Sequence, residues 1–102
     1  MISSEQRNLI IDIISKSNPK LIGIFGSYAR GENDLHSDLD ILIDFEQPVD
    51  LLEIIGLEQE LTEKLGIKVD LITLRSLNPQ LKEYVEKDLI PLLQWKRIRQ
   101  SI

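Results

Sequence analysis

The sequence predicts an α/β domain of the α+β kind, a small mixed sheet with helices packed on it. Three observations predict it. Short apolar runs at 20–25, 38–45 and 67–74, rich in isoleucine, have the length and flanking turn residues of strands. The segments around them repeat apolar residues at helical spacing. The chain of 102 residues suits one core, so the elements are expected to form a single domain over 1–102.

Ser3 or Ser4 can cap a first helix, with Gln6 three residues after Ser3 as its capping-box partner. Leu9, Ile10, Ile13 and Ile14 fall on one face, and Asn18-Pro19 stops the helix. Lys20 to Phe25 is the first strand. Gly26 follows, then a single helical turn over 27–31 and a polar loop over 32–37. Asp38 to Phe45 is the second strand, where side chains alternate across the sheet. Leu39, Ile41, Ile43 and Phe45 should meet the helices, and Asp38, Asp40, Leu42 and Asp44 share the open face.

Asp50 can cap the next helix, with Glu53 in the capping-box position and Leu51, Ile54, Ile55, Leu61 and Leu65 as its stripe. Gly66 suits a left-handed end. In the third strand, 67–74, Ile67, Val69 and Leu71 share one face and Lys68, Asp70 and Ile72 the other. Asn78-Pro79 starts a fourth helix whose stripe is Leu81, Tyr84, Val85 and Leu89, and Pro91 ends it. Leu92 and Leu93 suit a short edge strand, and Trp95 is placed to close the core.

Composition excludes several classes. There is no cysteine, so disulfides and thiolate metal sites are ruled out, and one histidine cannot build a multi-histidine site. No apolar run approaches the roughly 20 residues of a membrane span. The first residues lack a signal-peptide pattern, so the cytoplasm is the expected location. A net charge of −5 argues against a broad nucleic-acid surface. Lys96, Arg97 and Arg99 form a short basic end that reads as solvated.

The chemistry concentrates in 26–45. Asp38 and Asp40 point the same way, roughly 7 Å apart along the strand. If the second and third strands are neighbours, Asp70 can join them. Three ionised carboxylates that close raise one another's pKa, a conflict a divalent cation removes. Few carboxylates with room for phosphates and water suit Mg²⁺ or Mn²⁺, and two such ions, about 4 Å apart, can serve a phosphoryl displacement. A strand ending in Gly26-Ser27 and entering a helical turn offers backbone N–H groups and a hydroxyl to phosphate oxygens. Arg30 can add a charge-assisted contact.

Each feature alone has a plainer reading. Gly-Ser is a turn, and Asp-x-Asp is a solvated strand end. Asp70 can partner Lys68, and Arg30 can hold Glu32 or Asp34. Asp44, Glu58, Glu60 and Glu63 read as soluble surface, His36 and Ser37 as loop, and Tyr28 as packing. The conjunction is what points to a site.

Gly26-Ser27, ten residues, then Asp38-Leu39-Asp40 resembles the GSx10DxD signature of the DNA polymerase β-like nucleotidyltransferases. The fuller run GSYARGENDLHSDLD, with Val69-Asp70-Leu71, resembles their minimal nucleotidyltransferase (MNT) branch. The resemblance implies a nucleotidyltransferase fold with core strand order 1-2-3. It implies Asp38 and Asp40 as Mg²⁺ ligands, Asp70 as the third acid, and Gly26 and Ser27 at the nucleotide phosphates. It further implies the antitoxin of a HEPN/MNT pair, transferring AMP from ATP to a tyrosine hydroxyl of a helical HEPN ribonuclease toxin. Since only the core is present, the acceptor is expected on another polypeptide. The alternatives are a module that blocks a toxin by contact, and a subunit that nucleotidylates a small molecule such as an aminoglycoside.

Overall fold

The structure, a computed structural model, describes residues 2–94. The elements run α1 (Ser4–Ser15), β1 (Pro19–Phe25), α2 (Gly26–Arg30), β2 (Leu39–Phe45), α3 (Leu51–Leu65) and β3 (Val69–Thr73). A 3-10 turn at Leu74–Ser76, α4 (Pro79–Asp88) and β4 (Ile90–Gln94) complete the order. The sheet order is β3-β2-β1-β4. β1 runs antiparallel to β2 and β4, and β2 runs parallel to β3, so the sheet is mixed. The core order 1-2-3 is as expected, and the 92–93 segment does form an edge strand. Trp95, Lys96, Arg97 and Arg99 lie outside the described residues.

Local chemistry sets the boundaries. Ser3 Oγ accepts from the Gln6 amide at 3.1 Å while Gln6 Oε1 accepts from the Ser3 amide at 2.8 Å, closing the capping box of α1. Asp50 Oδ1 accepts from the Glu53 amide at 2.8 Å, but the Glu53 carboxylate turns away and accepts from Ser17 Oγ at 2.7 Å. That half of the expected box is therefore replaced by an α3–α1 tie. Gly66 ends α3 at φ +70°. Pro91 does not end α4; the helix stops at Asp88 and Pro91 lies within β4. The parallel β2–β3 pair needs a crossover, which α3 supplies.

One face of the sheet makes the core. Leu39, Ile41 and Ile43 are fully buried, and Phe45 nearly so, together with Ile10 and Ile14 of α1 and Leu57 and Leu61 of α3. Burying each such side chain stabilises the fold by about 1.5–3 kcal/mol, an upper figure because the unfolded chain already hides some of it. β3 is an edge strand, and α3 covers its outward amides. Thr62 Oγ1 accepts from the Val69 amide at 3.1 Å, and Glu58 Oε2 accepts from the Leu71 amide at 2.8 Å. Glu60 pairs with Lys16 at 2.9 Å. Glu58 is thus structural rather than plain surface, whereas the Glu60 pair is at the surface.

Two helical stripes differ from expectation. In α3 the inward residues are Ile54, Leu57, Leu61 and Leu65, whereas Leu51 and Ile55 are exposed. In α4 only Val85 is fully buried, and Leu81 and Tyr84 face solvent. α4 packs on β1 and α2 through a narrow contact: Leu89, just past its end, lies so close to Gly23 that a Cβ there would overlap it. A narrow contact leaves part of a broad apolar stripe uncovered.

Candidate active site

The second face of the sheet brings the candidate residues together through strand register. Phe25 pairs with Asp40 across β1 and β2, and Asp40 pairs with Asp70 across β2 and β3. Paired residues on adjacent strands share a face about 4.8 Å apart. The Gly26 turn, Asp40 and Asp70 therefore form one line across three strands.

Gly26 is required here twice. Its φ of +74° lies in the left-handed region, which disfavours a side chain. A Cβ at this position would also overlap the Asp40 carboxylate. The carboxylate thus rests directly against the backbone of the turn. Ser27 follows in the first turn of α2, half-buried, and Gly31 ends that helix at φ +73°.

Asp38 lies one residue before β2, and its Oδ2 is 3.9 Å from Lys68 Nζ. Asp70 is exposed. Asp40 is half-buried, and its carboxyl is pushed above the ordinary carboxylate range. Burial is the main cause, followed by the like charges of Asp70 and then Asp38, with Arg30 pulling the other way. Asp40 thus feels both of the acids expected to act with it.

Among the described residues no three acidic or histidine side chains stand as a ready metal cage. The donor chemistry nevertheless fits a hard divalent cation. All three groups offer carboxylate oxygen, and a positive ion would relieve the repulsion that raises the Asp40 pKa.

Arg30 is exposed and already engaged. Its Nε donates to Glu32 Oε1 at 2.8 Å and its Nη1 to Asp88 Oδ2 at 2.7 Å, tying α2 to α4. These partners hold the guanidinium pKa above its ordinary value. Asp88 was beyond sequence reasoning: it lies 58 positions away, in another helix, with no pattern linking the two. Lys68 does pair with an aspartate, but with Asp38 rather than Asp70. Tyr28 is buried packing. His36 is an exposed loop residue whose amide donates to Asp34 Oδ1 at 2.8 Å, and Ser37 Oγ accepts from the Asp34 amide at 3.0 Å.

Comparison with known proteins bears on the family of the chain as a whole. A family model described as "Polymerase beta, Nucleotidyltransferase" matches residues 8–97. The chain is 55% identical over 76 residues to the protein MJ1217 of Methanocaldococcus jannaschii, covering 74% of this chain and 78% of that one. It is 45% identical over 69 residues to the protein adenylyltransferase MntA of Thermococcus cleftensis, covering 68% and 70%. Among solved structures, a chain of a toxin–antitoxin crystal structure with AMP-PNP superposes with a TM-score of 0.82 at 29% identity, covering 93% of this chain and 78% of that chain. A chain from the complex of a tri-AMPylated Shewanella oneidensis HEPN toxin with its MNT antitoxin gives 0.78 at 25%, covering 98% and 79%.

Proposed function

The chain belongs to the polymerase beta nucleotidyltransferase family, and from that premise we propose that it is an antitoxin enzyme. In this reading, 1–102 acts as one nucleotidyltransferase domain in the cytoplasm. It transfers AMP from ATP to a tyrosine hydroxyl of a cognate HEPN toxin and releases pyrophosphate. The observation that carries the reading is the line of Gly26, Asp40 and Asp70 across three strands, with the Asp40 carboxylate against the glycine backbone. The relatives named protein adenylyltransferase, and the AMPylated toxin found with an MNT antitoxin, support the choice of acceptor. No helix among the described residues is long and apolar enough to cross a membrane.

Asp38, Asp40 and Asp70 would hold Mg²⁺ or Mn²⁺, as one ion or two. When bound, such a cation neutralises triphosphate charge and stabilises the attacking and leaving oxygens. Gly26 lets the triphosphate approach the backbone of the turn, and the Ser27 hydroxyl donates to a phosphate oxygen. Asp70, the most open of the three acids on its strand face, receives the proton of the tyrosine hydroxyl as that oxygen attacks the α phosphorus in line with pyrophosphate. Arg30 is held by Glu32 and Asp88, so its part in nucleotide binding is secondary. Orientation and charge compensation by fixed groups supply most of the rate. The net charge of −5 argues against a broad nucleic-acid surface.

The test uses ATP labelled at the α phosphate, Mg²⁺, the purified chain and the HEPN toxin encoded with it. Label on a toxin tyrosine is the expected result. Absence of label with both proteins folded and mixed overturns the proposal.

A further inference from the structure

The turn proposed to meet phosphate opens α2, a helix with little of its own to hold it. It spans five residues, Gly26–Arg30, too few for a helix that stands by local bonds alone. Its N-cap, Phe25, makes no side-chain capping bond, and Tyr28 is its buried side chain. Charge ties it down at the last residue. The Arg30 guanidinium forks between two acids, Nε donating to Glu32 Oε1 at 2.8 Å and Nη1 to Asp88 Oδ2 at 2.7 Å. Glu32 is local, and its amide donates to the Ser27 carbonyl at 2.9 Å. Asp88 comes from α4, so it is the partner that joins α2 to another element.

Asp88 is itself firmly placed. It precedes Leu89, whose side chain fills the space a Cβ would take at Gly23 of β1. Ile90 then pairs with Ile24 as β4 joins β1. The position of Asp88 is thereby set by the strand that ends at Phe25 and runs into the Gly26 turn. Asp88 is also the last residue of α4, where a negative charge opposes the helix dipole. The helix gains nothing from this acid, and the bond to Arg30 offsets its cost. Arg30 in turn is a cation that counters the raised pKa of Asp40, so the same brace keeps positive charge near the acids.

We infer that Asp88 is a positioning residue for the nucleotide: through Arg30 it clamps α2 to α4 and so fixes the Gly26–Ser27 turn where the phosphates bind. This rests on the nucleotide reading of that turn given above. The pair is only partly shielded, with the Arg30 side chain 43% exposed and that of Asp88 24%. Such a pair adds little to stability, so its effect belongs in binding rather than in the melt.

Asp88→Asn keeps the shape and removes the charge. Its Tm should stay near wild type. The Kd for MgATP in calorimetry, and the KM for ATP with the cognate HEPN toxin, should rise about tenfold, within the range for partners in one charged network. The toxin KM should not change. Arg30→Gln should act alike, and the double variant should bind no more weakly than the weaker single one. Asp88→Glu, which keeps the charge, should restore most of the affinity. Glu60→Gln breaks the Lys16–Glu60 pair between α1 and α3 and should leave the Kd unchanged.

Unchanged MgATP affinity in Asp88→Asn overturns the inference. So does tighter binding, since Arg30 would then be a phosphate ligand that Asp88 restrains. Additive losses in the double variant overturn it as well. A wild type that binds MgATP but labels no toxin removes the proposed acceptor, and the Kd comparison still decides the role of Asp88. A wild type that binds no MgATP overturns both.

Discussion

Along β2, Leu39, Ile41, Ile43 and Phe45 are buried beneath the helices, while Asp40 and Asp44 on the opposite face remain half-exposed. The two acids also differ from each other. Asp44 has Lys20 at 3.7 Å, whereas Asp40 has no ion-pair partner among the described residues and faces two like charges. The contrast separates stability from chemistry on one strand. Apolar residues hold the strand in place, a neutralised acid ends it, and an uncompensated acid is kept where a cation and a triphosphate are proposed to bind. A charge without a partner in the resting fold costs stability and is worth keeping only where a ligand completes it.

The sharpest way to break this contrast is Asp40→Asn. It preserves shape and removes one charge from the line. Adenylyl transfer should fall on the order of 10³-fold or more, the scale of losing a group aimed at developing charge. The Tm of the metal-free protein should rise at the same time, because a half-buried, repelled carboxylate is gone. Lost activity with a lowered Tm would show that Asp40 is structural. Steady-state kinetics and a thermal melt decide it.

Ile41→Ala tests the other face, one residue along. Truncating a fully buried isoleucine should cost about 2–5 kcal/mol. Turnover per folded molecule should be nearly unchanged below the melt. Chemical denaturation against an active-site titration separates the two effects. A folded Ile41→Ala protein with Asp40→Asn-like inactivity would mean that the faces are not independent.

Gly26→Ala joins the faces, because the turn belongs to backbone and site alike. A left-handed φ for alanine adds strain of about 1–3 kcal/mol. The new methyl also displaces the Asp40 carboxylate, and a misplacement near 1 Å can lower a rate by about 10²-fold. Gly31→Ala is the control: it has the same sign of φ and nothing within reach of its Cβ. It should share the strain and keep the activity.

The β2 alternation, the Ser3 and Asp50 caps and the Gly66 terminus were all legible in the sequence, because each depends on near neighbours or on period-two patterning, whereas the core strand order followed only from the family resemblance. The α3 and α4 stripes were less so. Periodicity reports which residues share a helix face but not how far the partner layer extends beneath it, so Leu51, Ile55, Leu81 and Tyr84 were expected inside. The Glu58 bond to the Leu71 amide and the Arg30 bond to Asp88 depend on tertiary approach. The spacing of 26, 27, 38, 40 and 70 marked the candidate site, yet the lean of Asp38 toward Lys68 could be read only from the fold.

The smallest effect, and the most direct reading of the uncompensated acid, is in pH. The folded Asp40 pKa is raised, so between the ordinary carboxyl value and the raised one the folded state holds more protons than the unfolded state. The stabilising contribution of this group is complete below the unfolded value and is lost as pH rises through the folded one. Asp40→Asn has no such titration, and the other carboxylates are common to both proteins. The Tm difference, wild type minus Asp40→Asn, should therefore fall as pH is raised from about 3 to 7 in chelator, then level off. Mg²⁺ at neutral pH should recover stability in the wild type and much less in the variant, because the ion offsets a repulsion that only the wild type carries. A difference that rises with pH in chelator would mean that Asp40 already has a cationic partner, and the two acids of β2 would then be alike.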